Sequence, residues 1–146
     1  MLSLMLPHRI KIQPFTRIKD FNGDEVPDGI LVVIRPLDRF DDPVKAVGLF
    51  YFELWTHQKA SGQPKGERLE FWERTIATTE DVRLFWTRPQ MYEFQLAWTA
   101  GIEKLKPNQR YLLTAAYRSP WDETMQDEYV IKCDLAFEPV AEPAEQ

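Results

Sequence analysis

With 146 residues, 44% of them apolar and 28% charged, the chain has the size and balance of one globular domain, long enough to bury a core without staples. Its formal charge of −5, without any run of Lys or Arg, argues against a surface that tracks nucleic-acid phosphates. The single cysteine excludes an internal disulfide, and no stretch reaches the ~20 apolar residues of a membrane-spanning helix.

Nine Phe, five Tyr and five Trp favour strands, where flat rings pack on a pleated surface, and eleven prolines disfavour long helices. Residues 1–7 read as an N-terminal extension. Its opening, Met1–Leu6, is apolar but too short for a signal peptide, with no basic start or small-residue cleavage site. Residues 8–18 open the domain as a strand, Ile10 and Ile12 on one face, with Phe15 and Ile18 carrying it past Pro14. Residues 30–35 (ILVVIR) form a β-branched run typical of a central strand covered on both sides, and 49–56 (LFYFELWT) read the same way. Residues 67–73 place Leu69 and Phe71 on one side and charge on much of the other. Thr79 then stands as a cap before Glu80 and Asp81, with Val82, Phe85 and Trp86 apolar, which predicts one short helix near 79–88, stopped by Pro89. Three clean alternations follow at 91–98, 111–117 and 129–137, as antiparallel strands with one wet face should. The last sets Cys133 between Ile131 and Leu135, the place of a buried small hydrophobe and not of a reactive thiol. Residues 138–146 (EPVAEPAEQ) read as a disordered, solvated tail. The expected fold is all-β: a two-sheet antiparallel β-sandwich of about seven strands, one domain over 8–137, with the helix crossing between sheets.

Residues 105–111 (LKPNQRY) hold Leu105, Pro107 and Tyr111 in a Leu-x-Pro-x-x-x-Tyr spacing. This resembles the tyrosine corner of fibronectin type III and related immunoglobulin-like sandwiches, over the corner and the strand that follows it. The resemblance implies that Leu105 caps the core, Pro107 stiffens the turn and Tyr111 returns its hydroxyl to an upstream backbone group. It also implies that alternate loops lie at opposite poles of the sandwich, with the loops after the second and sixth strands sharing one pole.

Between the first two strands, residues 20–29 (DFNGDEVPDG) set Asp20, Asn22, Asp24 and Asp28 at the first, third, fifth and ninth places. Calcium takes about six to eight hard oxygens, and a tight loop aims alternate side chains inward. The spacing resembles the calcium loops of EF-hands, dockerins and integrin-type propeller repeats. That implies calcium held by those four side chains and the Val26 carbonyl, in a structural role. Glu25 replaces the family's turn glycine, and Leu31 replaces its bidentate Glu. The plain alternative is a polar connection turned by Asn22-Gly23 and Asp28-Gly29. A second acidic set, Asp38, Asp41 and Asp42 in one loop with Asp122, Glu123, Asp127 and Glu128 in another, is similar to the cation-dependent lipid-binding face of C2 domains.

The signatures of catalysis are missing: no nucleophile elbow, His-Glu-x-x-His, phosphate loop or dinucleotide fingerprint, and His8 and His57 have no partnered set. The expected function is therefore a non-catalytic interaction or structural module with an unknown protein or polysaccharide partner, stabilised by calcium at 20–29. One alternative is a carbohydrate-binding module, for which Trp121, after Pro120 in a polar loop, is the stacking candidate. The other is C2-like, cation-dependent binding through the second acidic set. Residues 48–55 (GLFYFELW) and 64–69 (PKGERL) resemble uncharacterised bacterial envelope proteins, some with lipoprotein leaders. That resemblance implies a cell-envelope location, a cytoplasmic one being the alternative.

Overall fold

The computed structural model describes residues 7–23, 28–58, 62–87, 89–98, 105–106 and 108–133. Its elements are β1 (Arg9–Ile12), β2 (Arg17–Lys19), β3 (Gly29–Leu37), β4 (Gly48–His57), β5 (Lys65–Ile76), α1 (Thr79–Phe85), β6 (Tyr92–Ala97), β7 (Arg110–Arg118) and β8 (Thr124–Lys132). The β-branched run becomes β3, the axis of the first sheet. Ile30, Val32 and Ile34 join the core, and Leu31 and Val33 on its other face are buried as well. β6 lies antiparallel along one side of β3, while β1 and β2 share the other side end to end.

The expected first strand is thus two, which makes eight strands among the described residues where about seven are expected. Pro14 has no N–H to give a ladder. At the break, Gln13 N donates to Val33 O at 2.8 Å, and Val33 N donates to the Thr16 hydroxyl at 3.0 Å. A side chain takes the ladder's place for one turn.

The second sheet has the order β5-β4-β7-β8, antiparallel throughout. Alternation sends Phe50, Phe52 and Leu54 of β4 inward, with Tyr111, Leu113, Ala115 and Tyr117 of β7 beside them. They meet the first sheet ring to ring: Phe94 of β6 lies 5.3 Å from Phe50 and 5.4 Å from Phe52. Burying each such side chain contributes about 1.5–3 kcal/mol. The two facing layers make a β-sandwich.

α1 crosses from the second sheet to the first. Its cap is Thr78, one residue before the expected Thr79. The Thr78 hydroxyl accepts from Asp81 N at 3.1 Å, and the Asp81 carboxylate accepts from Thr78 N at 3.1 Å and Ala77 N at 2.8 Å. Those amides hold the Asp81 carboxyl below its ordinary pKa. Phe85 and Trp86 end the crossing against Phe94 (4.9 Å) and Tyr92 (4.8 Å).

The final strand starts earlier than the alternation suggested, at Thr124 and not 129. A tight turn explains the difference. The Ser119 hydroxyl accepts from Trp121 N and Glu123 N, both at 3.1 Å, and Asp122 takes a left-handed φ of 68°. β8 can therefore pair with β7 from Arg118–Thr124 onward. Asp127 and Glu128, expected in a loop, stand on a strand. Residues 134–137 of the expected strand lie outside the described residues. Among the described residues, no helix is long and apolar enough to cross a membrane.

A candidate binding face on the second sheet

While the inward residues of β4 make the core, its outward residues, Leu49, Tyr51, Glu53 and Trp55, are half-buried and open to solvent. Register sets Phe71 of β5 beside Glu53, and Leu112 of β7 between Trp55 and Val130 of β8. Phe71 is 47% exposed and Val130 43% exposed. The result is a strip of rings and aliphatic groups across the outside of the sheet, with charged groups set into it.

Those charges hold the rings in place. Arg68 lies over the Phe71 ring at 4.8 Å and donates to the Glu53 carboxylate at 2.9 Å; Tyr51 and Phe71 stand 5.7 Å apart. The Glu53 carboxylate holds the Arg68 pKa above its ordinary value. Lys65 sits 5.0 Å over the Trp55 ring, and the Trp55 indole N–H donates to the Thr114 hydroxyl at 3.2 Å. Because Ala116 is small, a shallow groove of about 340 Å³ opens beside Tyr51, Leu49 and Gln126. Aromatic rings and Arg are the side chains that anchor protein interfaces, since they bury large areas at low entropic cost.

Sequence reasoning missed this face. By its sequence the 49–56 run is apolar on both faces, like 30–35. The structure covers one side only among the described residues. The signal was present: Leu49, Tyr51 and Trp55 alternate with the core residues, and a side with that many rings needs a cover.

The sequence-predicted site residues fall elsewhere. In the 20–29 connection, the Asp20 carboxylate accepts from Asn22 N (3.1 Å) and Gly23 N (2.8 Å), and the Asp28 carboxylate accepts from Phe21 N (2.8 Å) and Asn22 N (3.3 Å). Both carboxylates converge on one turn, with Gly23 at a φ of 82°. Asp24 and Val26 lie outside the described residues. In the second acidic set, Asp38 accepts from Phe40 N and Asp42 N within its own turn, and Asp41 pairs with Arg9 at 3.0 Å. Asp122 stands 3.9 Å from Arg118, while Asp127 reaches the first sheet and accepts from Ile12 N at 2.8 Å. Glu123 and Glu128 are exposed. Among the described residues, no three of His, Cys, Asp and Glu are grouped to hold a metal ion.

Leu105 is buried in the core, and the Tyr111 hydroxyl accepts from Lys106 N at 2.8 Å across the corner; Pro107 lies outside the described residues. Of the tryptophans, Trp72 is 5% exposed and Trp121 is 55% exposed. No family model, curated protein or solved structure matches the chain.

Proposed function

We propose that this chain is a non-catalytic binding module that docks a partner protein on the outer face of its second sheet. The observation that supports this reading is the strip formed by Tyr51, Trp55, Phe71 and Val130, unpartnered by any other described element. Exposed rings scattered singly need no explanation, but a contiguous strip with an ordered Arg does. The split edge strand, the three-plus-four division of strand positions and the Tyr111 corner support an immunoglobulin-like, fibronectin type III-like scaffold, which commonly carries binding through its faces and loops. Two cations already lie over Trp55 and Phe71. That favours a protein partner over a stacked sugar, which leaves Trp121 as the ring a polysaccharide would use.

The test is site-specific photo-cross-linking in the native host. A photoreactive residue replacing Phe71 or Val130 should capture the same partner, and one replacing Gln95 on the first sheet should not. Equal capture from all three positions, or none from the first two, sinks the reading.

The proposal extends to the 20–29 loop, where the convergence of Asp20 and Asp28 supports calcium as an added brace. A site of Kd ~10 μM in ~1 mM calcium would add about 2.7 kcal/mol to stability. The melting temperature should rise with calcium and fall with chelator, and Asp28→Ala should remove the difference. Identical melts in both would leave the two carboxylates as turn caps.

A further inference from the structure

We infer that one end of this face is built to receive the carboxylates of an acidic, partly apolar peptide. The argument rests on the reading of the second sheet's outer face as a docking surface and names the chemistry of what docks there. At the pole where β4 ends and β7 begins, register lines up one residue from each of the four strands. Lys65 pairs with His57, and Arg110 pairs with Lys132. The Thr56–Tyr111 pair sets the next residue of β4, His57, opposite Arg110. Alternation sends His57, Arg110 and Lys132 outward, on the same side as Trp55 and Leu112, and Lys65, beyond two irregularities in the β4–β5 register, joins them over the Trp55 ring. With strands about 4.8 Å apart, the row spans roughly 14 Å.

This row runs against the rest of the molecule. The chain is acidic overall, at −5, yet this row holds three fixed cations and a histidine. Lys65, Arg110 and Lys132 are exposed, and among the described residues none of them is in an ion pair. Arg110 directly opposite Lys132 is a like-charge cross-strand pair, an arrangement that costs stability until something negative offsets it. Arriving carboxylates would relieve that repulsion and make charge-assisted hydrogen bonds.

The neighbouring row decides what kind of anion fits. One step along the strands lies an apolar band beside the cations, in which Trp55 and Val130 reach the surface on either side of the buried Leu112, with Arg68 at its β5 end. Beyond it stand Glu53 and Glu128. A nucleic acid or a sulfated polysaccharide offers negative charge without apolar side chains, and extending over the face it would run into those glutamates. A peptide sets discrete carboxylates on the row and aliphatic side chains on the band, and ends before the acidic residues.

The experiment titrates the full chain with a fluorescein-labelled peptide of repeated Glu-Leu-Glu-Ala, read by anisotropy and by the change in total tryptophan fluorescence, part of which Trp55→Phe should remove. Binding is expected at low ionic strength and should weaken as salt is raised. Arg110→Glu with Lys132→Glu should weaken it by about tenfold or more. Lys11→Glu with Arg17→Glu, which alters the chain's charge equally on the first sheet, should leave it unchanged. Circular dichroism confirms that both variants are folded. Equal loss in the two variants, no binding by the parent chain, or binding of dextran sulfate in place of the peptide overturns the inference. Capture of a partner at Phe71 that survives Arg110→Glu and Lys132→Glu would overturn the acidic chemistry and leave the docking face standing.

Discussion

Two tyrosines from opposite sheets hold the same piece of chain. Tyr92 of β6 donates its hydroxyl to Ala46 O at 2.9 Å, and Tyr117 of β7 donates to Val47 O. Both rings are fully buried beside Phe50. Burial pushes both phenols above their ordinary pKa, that of Tyr117 up from 10 to about 12, with Glu123 adding to it. The folded state thus favours the neutral phenol. Its contribution is complete below pH 10 and is lost as pH rises towards about 12. Tyr117 alone should account for a loss on the order of 2 kcal/mol of unfolding free energy in urea over that span. Tyr117→Phe should lose less over the same span; an equal loss in that variant would contradict the assignment. The third tyrosine, Tyr111, could be placed from the sequence because its partner Lys106 is five residues away and the spacing itself describes the turn. Tyr92 and Tyr117 read only as members of a stripe, since their partners are 46 and 70 residues distant.

At the scale of elements, the side chains of one sheet finish the backbone of the other. On one side, the Trp72 indole donates to Ala97 O at 2.7 Å and Arg74 donates to Gln95 O at 3.4 Å, covering the open side of β6. On the opposite side, Asp127 accepts from Ile12 N, and the Tyr129 hydroxyl donates to Pro14 O at 3.2 Å. Unpaired edge groups invite foreign strands, so each contact removes a hazard as well as adding stability. Asp127→Ala should cost about 1–2 kcal/mol and speed hydrogen exchange at the Ile12 amide; unchanged exchange there would contradict the contact. Local sequence cannot place Asp127: an acid in a strand's inward register has the signature of a loop when its partner belongs to a strand over a hundred residues earlier. The strands themselves were legible, since alternation is local. The split between β1 and β2 was not, because it depends on Thr16 finding Val33.

For the whole molecule, the division into layers followed from counting short apolar runs and turns, and the sandwich followed from the layers. Which faces stay wet did not follow. The runs at 30–35 and 49–56 are equally apolar, yet Leu31 and Val33 are covered while Tyr51 and Trp55 border solvent. Periodicity reports that a side chain is apolar and leaves open whether its cover lies in the same chain. If the cover is a partner, the exposed rings should matter little to folding and greatly to binding. The direct measurement is the double substitution Phe71→Ser and Val130→Ser, assayed for unfolding free energy and for the partner complex. The predicted result is stability within about 1 kcal/mol of the parent chain with the complex lost. A fall of several kcal/mol would show that the rings belong to the core, and an intact complex would show that the partner binds elsewhere.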